Sequence, residues 1–490
     1  MPTSLRWLSS LNDPCDGISL CCFRLLLGIV LSVDLSLNLQ QIEERFPYWE
    51  FRPPFVPVRF LEDWPNVPAK PCLMLGLLGA VLLTLGIHTR WAAWGTAGCY
   101  FLLYLWDPTQ FNNHHYLIVL LCMLMGWVRA DHECHARFWE SRNPMCIWIP
   151  QWQLFLFYFQ LGVVYFYGAI NKLNPDWIRG EPLSLWLAVE QERPFVGPWL
   201  AHHSTKYVFA WGGILFDACA IPLLLIKSTR WLGMVLSVFF HYTNSWLFQI
   251  GPFPWLMMST LVLFIDPAIL RKHGQRWHAL LGISFHHGQV SREEQAQRRV
   301  RHQRLENHKL ILLTGFVLFQ GLFPLRCWIL STDPEWTEEG KNFSWRMMLS
   351  HKDCFVLVRV IDQADGRLWV VDQTRYLTRR QVRGKGVWGN PRHLAAFARF
   401  IRREAKQRGF VKPRVIVQAL ASLNGRPYQY LVDPTIDLSL AEEPFWKLPD
   451  WVMPCDRSHP PGNYSLLEPE TRKQILTSIL SRTDLNSNRR

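Results

Sequence analysis

Apolar runs of membrane-spanning length recur along the first two thirds of this 490-residue chain and then cease. A helix needs about 20 largely apolar residues to cross a bilayer, because hydrocarbon leaves no partner for an unbonded backbone group. Candidate spans fall at 18–38, 71–88, 91–106, 115–128, 153–170, 207–226, 231–248, 253–270 and 309–327. Trp and Tyr crowd their ends, as rings at a membrane–water boundary do. The pattern predicts a polytopic α-helical membrane protein of about 8–9 transmembrane helices over residues 1–327, then an extracytoplasmic α+β domain over 328–490. The first run carries Arg24 and Asp34 and has no small-residue cleavage site, so it reads as a retained span rather than a removed signal peptide.

The net charge of +13 does not point to nucleic acid, because most of the excess sits in one loop and along membrane edges. That loop, between Arg271 and Lys309, holds Lys272, Arg276, Arg292, Arg298, Arg299, Arg301 and Arg304. The positive-inside rule makes it cytoplasmic. Counting spans back from it puts Arg90, Arg129, Arg137, Arg142, Lys227 and Arg230 on the same side. The N-terminus is then cytoplasmic and the C-terminal domain periplasmic or lumenal. The twelve cysteines form no CxxC pair and mostly lie in apolar runs, where thiols behave as small hydrophobes. Cys354 and Cys455 lie in the soluble part and form the one candidate disulfide.

In the outer domain, alternating apolar residues flank Asp365-Gly366 and predict a hairpin over 354–372. Residues 391–408 place Leu394, Phe397, Phe400 and Ile401 on one stripe of an amphipathic helix. A second strand pair, 415–420 with 428–432, is expected around Asn424-Gly425. No phosphate loop, zinc spacing or hydrolase triad is present.

Three polar clusters interrupt the apolar pattern: Asn112-Asn113-His114-His115, Asn171-Lys172, and His241-Tyr242-Thr243-Asn244. The same parity of spans brings all three to the outer face. Lys172 ends an uncharged aromatic run and is either a snorkelling anchor or an amine held neutral by its surroundings, able to act as a base. Tyr165 and Tyr167 are placed to line an apolar cavity beside it. His114 and His115 either belong to a helix start capped by Asn112 or Asn113, or aim an imidazole into that cavity. For His241, an inter-helix hydrogen bond and a ligand contact stand equally. Arg24, inside the first span, is expected to pair with a carboxylate or carbonyl for packing. A membrane di-iron site is disfavoured, since His132-Glu133-Cys134-His135 falls on the opposite side and the pairs 202–203 and 286–287 are scattered. No metal is expected.

Taken in order, these clusters resemble the vitamin K-dependent γ-glutamyl carboxylase family, of the horizontally transferred transmembrane domain group. The likeness is carried by Phe23-Arg24-Leu25 with Gly28 and Asp34, by Asn112-Asn113-His114, and by the stretch from Gly168 to Trp177. It continues in His241-Tyr242-Thr243-Asn244-Ser245 with Leu247, Phe248, Ile250 and Gly251, and in Phe343-Ser344-Trp345-Arg346-Met347-Met348. Asn424-Gly425-Arg426-Pro427 with Asp433-Pro434 completes it.

The resemblance implies an enzyme that uses reduced vitamin K (menaquinol or phylloquinol), O2 and CO2. In the family a lysine at the Lys172 position deprotonates the hydroquinone. Oxygenation then yields the epoxide and a base strong enough to take a γ-proton from glutamate, and the carbanion adds CO2. Lys172 and His114 are thus the expected catalytic residues, and Asn113, His241, Asn244, Trp177 and Tyr167 are expected to contact the quinol. Expected partners are the quinol, a Glu-containing peptide or protein, and membrane lipid. Two departures stand out. Animal members carry a lysine pair where this chain has Asn171-Lys172, and they continue into a long substrate-docking region past the point, near residue 450, where the likeness fades. Docking of a propeptide-bearing protein is therefore not expected here. The rival reading is a non-catalytic membrane quinone- or lipid-binding family member.

Orientation is open to direct measurement. A cysteine reporter at Arg298 in an otherwise unreactive background is expected to react with an impermeant thiol reagent only from the cytoplasmic side. Labelling from outside would invert the topology.

Overall fold

The structure, a computed structural model, describes residues 10–46, 51–53, 68–128, 148–280, 307–330, 333–378, 381–382, 386–444, 447–462 and 474. The basic positions 292–304, Arg129, Arg137, Arg142 and the histidines at 132, 135, 286 and 287 lie outside the described residues.

We number helices of eight residues or more. α1 (Ile18–Gln40), α2 (Ala69–Leu85), α3 (Thr89–Trp106) and α4 (Asn113–Trp127) each pack on the next. α5 (Trp152–Lys172), α6 (Thr205–Leu225), α7 (Arg230–Phe248) and α8 (Phe253–Thr260) repeat that order, and α8 returns to α1. α9 (Pro267–Leu280) contacts α1 and α10 (Asn307–Leu322) contacts α5. A two-stranded ribbon, β1 (Pro14–Asp16) with β2 (Trp148–Pro150), ties the start of α1 to the start of α5. Small residues let these helices close up, as is common where lipid supplies no hydrophobic drive between them. A Cβ on Gly28 of α1 would sit 2.3 Å from Thr84 Oγ1 of α2, so only glycine fits there. One face of α1 buries Phe23, Leu27, Leu31 and Leu35, while Ile29, Val33 and Leu37 stay exposed, as do Leu75 and Leu78 of α2. A broad outward apolar surface of this kind suits lipid, not water.

Among the described residues, four helices are long and apolar enough to cross a membrane: Ile18–Gln40, Trp152–Lys172, Thr205–Leu225 and Lys309–Leu330. Phe253–Phe264 and Pro267–His273, bent by 103° at their junction, make a fifth if taken as one span. The expected count of 8–9 is not reached on this measure. The spans predicted at 71–88, 91–106, 115–128 and 231–248 are all helical, yet they fall short for a physical reason. α2 has 17 residues and α4 has 15. At about 1.5 Å per residue both are shorter than the roughly 30 Å hydrocarbon core. α3 and α7, with 18 and 19 residues, come nearer that length, but Trp, Tyr and polar side chains dilute their apolar character.

The C-terminal part builds an antiparallel sheet in the order β4-β3-β5-β6, from β3 (Lys352–Asp362), β4 (Leu368–Val370), β5 (Pro413–Leu423) and β6 (Gln429–Tyr430). The predicted hairpin is present, with Val360 opposite Trp369 and Gly366 at φ +75° in its turn. β3 alternates strictly, burying Val356, Val358 and Val360. Onto that face packs α11 (Pro391–Gln407) through Leu394, Phe397 and Ile401, as its sequence stripe requires. The second strand pair also forms, with Leu420 opposite Tyr430 and the turn residues Asn424 and Gly425 both at positive φ. Core side chains divide into two main clusters, one among the helices and one between the sheet and α11.

The candidate disulfide is not formed: no bond joins Cys354 to Cys455. Cys354 is held in the sheet opposite Ala421, while the thiol of Cys455 turns toward the carbonyl of Asp456.

His393 of α11 is buried, which pushes its imidazole down to about 4. The unfolded chain binds that proton at about pH 6.5, so between pH 6.5 and 4 the unfolded state holds more protons than the folded one. Stability is complete above pH 6.5 and declines as pH falls toward 4, by about 3 kcal/mol from this residue. The thermal midpoint of the wild-type protein is expected to fall over that window, and His393→Leu to flatten the decline. An equal acid slope in both proteins would remove His393 from the account.

Candidate functional site

α5 ends where its sequence says it must. Pro175 cannot continue a helix, and Asn174 instead caps the next short turn by accepting from Trp177 N at 3.0 Å. Lys172 is therefore the last helical residue, at the carbonyl end where a cation is favoured. Its side chain does not reach out to water. It is 12 % exposed and Nζ lies 2.6 Å from Asp217 Oδ2 of α6, itself 7 % exposed. The Trp177 ring stands 5.5 Å and the Phe240 ring 5.9 Å from Nζ.

Close approach of α5 and α6 makes this pair possible. Gly168, one turn before Lys172, leaves the space that Asp217 occupies, since a Cβ there would lie 2.5 Å from Oδ2. The expectation of a lysine kept neutral by an apolar wall needs correcting, because its wall includes a carboxylate. Asp217 was missed in the sequence although a signal was there. It is the only charged residue in the run 207–226, and ionisable groups at membrane depth face the protein interior or a cavity.

The pair opens onto a partly open, mostly apolar cavity whose empty space, its open side included, is about 770 Å³. His114 of α4, Tyr165 of α5, His241 and Asn244 of α7, and Trp177 all line it. Members of all three polar clusters thus converge from separate helices. His241 Nε2 is 2.9 Å from the Tyr165 hydroxyl, which orients the ring. Phe253 lies between the imidazoles, 4.8 Å from the His114 ring and 6.0 Å from that of His241. Nδ1 of His114 and Nδ1 of His241 are buried without a hydrogen-bond partner among the described residues. Buried polar atoms are rarely left so, and two facing one cavity mark a place for a polar ligand atom. From the C-terminal part, Met347 and Met348 complete the wall.

Two expected residues do not line it. The Tyr167 hydroxyl donates to the Gly321 carbonyl instead. Two residues along a helix turn a side chain by about 200°, so Tyr165 and Tyr167 cannot both face one cavity. Asn113 donates from Nδ2 to the Arg346 carbonyl at 3.3 Å, while Asn112 takes the capping role, accepting from His115 N at 2.8 Å. His115 turns to a second, larger space between α1 and residues 249–252, which His114 and Ile250 also border. Arg24 is fully buried in α1, as a packing residue would be. Among the described residues no three His, Cys, Asp or Glu gather as metal ligands do.

Comparison with known proteins agrees with this layout. The HTTM domain family matches residues 12–268, more than half of the chain, and the lumenal domain of vitamin K-dependent gamma-carboxylase matches residues 305–458. The chain belongs to the γ-glutamyl carboxylase family. No solved structure matches it. Within this carboxylase-family protein the two matched regions meet at the cavity. His114, Lys172, Asp217 and His241 come from the HTTM domain, and Met347 and Met348 from the lumenal domain.

A second contact between them lies four residues past Lys172. Asp176 receives two hydrogen bonds from the Arg426 guanidinium, both at 2.7 Å, and one from Asn424 Nδ2 at 2.8 Å. Burial would raise its carboxyl, but those bonds and the charges of Arg426 and Arg457 outweigh it and hold Asp176 below the usual carboxylate range.

Gly168 offers a clean test of the packing. Gly168→Ala is expected to force Asp217 aside and lower stability by about 1–3 kcal/mol, the usual cost of overpacking. Gly162→Ala, on the same helix with open space at its Cβ, should be neutral or slightly stabilising. Thermal unfolding in detergent separates the two, and equal midpoints would contradict the close contact.

Proposed function

We propose that this protein is an integral-membrane carboxylase and epoxidase that depends on vitamin K hydroquinone and carboxylates glutamate side chains of a peptide or protein acceptor. On this reading residues 1–327 carry the active site. The N-terminus is cytoplasmic, and residues 328–490 lie on the periplasmic or lumenal side. The observation that carries the proposal is the Lys172–Asp217 pair, 2.6 Å apart, at the wall of an apolar cavity that also receives two histidines.

The lining suits a reduced naphthoquinone. Aromatic side chains at Trp177, Phe240 and Phe253 offer flat apolar surface, and the unpartnered Nδ1 atoms of His114 and His241 offer hydrogen-bonding positions for hydroxyl groups, each a donor or an acceptor according to its tautomer. When bound, the quinol with O2 supplies the strong base that carboxylation by CO2 requires.

The chain's own residues manage one proton. Nζ of Lys172 and Oδ2 of Asp217 share it, and wherever it sits the pair as a whole is neutral. A lone ammonium in this cavity would be costly, and the carboxylate removes that cost. With the proton on Oδ2, Nζ is an unprotonated amine and can accept another. An apolar wall alone would disfavour the ammonium, whereas Asp217 pairs with it and gives its proton a place to go. Tyr165 holds His241 in one orientation, and the phenylalanines exclude water, which strengthens every polar interaction within. Trp177 Nε1 donates to the Ala210 carbonyl at 3.0 Å, fixing the ring that covers Lys172.

The test uses purified protein with reduced menaquinone or phylloquinone, O2, labelled bicarbonate and a Glu-containing peptide. Epoxide and labelled peptide are expected from the wild type. Lys172→Ala should lower epoxide formation by roughly two orders of magnitude or more while keeping its fold, with partial recovery on adding a small amine. Asp217→Asn should fall by roughly ten-fold or more, since the pair loses its proton store. Unchanged epoxide in Lys172→Ala would sink the assignment. Quinone binding without epoxide from the wild type would favour a non-catalytic binder.

A further inference from the structure

Asn113 and Asn171 each stand one residue before a proposed catalytic group, and neither faces the cavity. Both hold the same segment of the lumenal domain. Asn171 Nδ2 donates to the Ser344 carbonyl at 3.0 Å, and its Oδ1 accepts from Arg346 Nη1 at 2.9 Å. Asn113 Nδ2 donates to the Arg346 carbonyl. Arg346 is held from its other side by Glu335, at 2.9 Å from Nε.

Between these anchors Trp345 is fully buried and joins the core of the membrane helices, not that of its own sheet. Its ring lies 4.9 Å from that of Tyr116 in α4. The backbone here is neither helix nor strand. Phe343, Trp345 and Met348 take φ of +61°, +55° and +51°, a region that side chains other than glycine enter only when surroundings hold them. The outcome of that strain is that Met347 and Met348 face the cavity.

We infer that residues 343–348 form a docked strap that supplies the lumenal half of the site, and that Asn113 and Asn171 are positioning residues that dock it. Holding the strap by the residues adjacent to His114 and Lys172 sets those two groups and the methionine wall in one register. An amide is required at 171, because that position donates to a carbonyl and accepts from a guanidinium at once. A lysine there, as in animal members of the family, has no acceptor for Arg346 and would oppose its charge. The inference rests on the proposed function only in taking this cavity as the site of reaction.

Hydrogen exchange read by mass spectrometry on the full chain in nanodiscs, without quinol, tests the docking. Asn171→Ala and Asn113→Ala are expected to raise exchange over 343–349 by roughly ten-fold, the effect of losing one or two hydrogen bonds, and to leave β3 and β5 unchanged. Asn171→Asp, which keeps the acceptor for Arg346 and loses the donor, should fall between. Oxidised menaquinone, titrated by tryptophan quenching, should bind roughly ten-fold more weakly to the Ala variants. Unchanged exchange in the strap would overturn the inference, and so would faster exchange spread evenly through β3 and β5. Inactivity of the wild type toward quinol would defeat the proposed function and leave the exchange result standing.

Discussion

A lysine and an aspartate held 2.6 Å apart among aromatic side chains impose conditions on everything around them. Burying either charge alone costs solvation, and each offsets that cost for the other. α5 and α6 must therefore approach closely, which is why Gly168 has no side chain to spare. α5 must also stop at Lys172, which Pro175 ensures. The helices that carry His114 and His241 then pack against this centre and close an apolar space around it.

The lumenal domain is joined to the same corner from both sides. Before Lys172, Asn171 takes Arg346, and after it Asp176 takes Arg426. Each joint is a buried cation with a geometrically matched acceptor, the kind of contact that specifies orientation more than it adds stability. In the second joint Asn424 serves twice. Its backbone turns between strands at φ +53° while its amide reaches Asp176. Two such joints a few residues apart leave the lumenal domain little freedom to rotate about the end of α5.

Much of this was legible in the residues, and what was not has definite causes. His114, Lys172 and His241 stood out because each breaks an apolar run, and their convergence followed from counting spans. Asp217 gives the same kind of signal at mid-span, where nothing local names its partner. Tyr167 was misplaced because proximity in sequence is not proximity on a helix surface, where each step turns by about 100°. Asn113 was expected at the cavity from the family likeness, and its amide donates to the Arg346 carbonyl instead. The lumenal hairpin and α11 were predictable from period alone, since a half-buried strand and an amphipathic helix write their burial into two and 3.6 residues. The span count was less secure, because helices of 15 and 17 residues look like spans in hydropathy yet are short for a bilayer.

By itself the sequence determined the class of protein, the chemistry available at each helix end and the local form of the lumenal sheet. These depend on transfer of side chains between water, lipid and protein, and on backbone preferences that act over a few residues. Only the tertiary structure decided which groups meet. Lys172 and Asp217 are 45 residues apart, and Asn171 and Arg346 are 175 apart. Such partners are chosen by how helices rotate and close against one another, and no local pattern records that rotation.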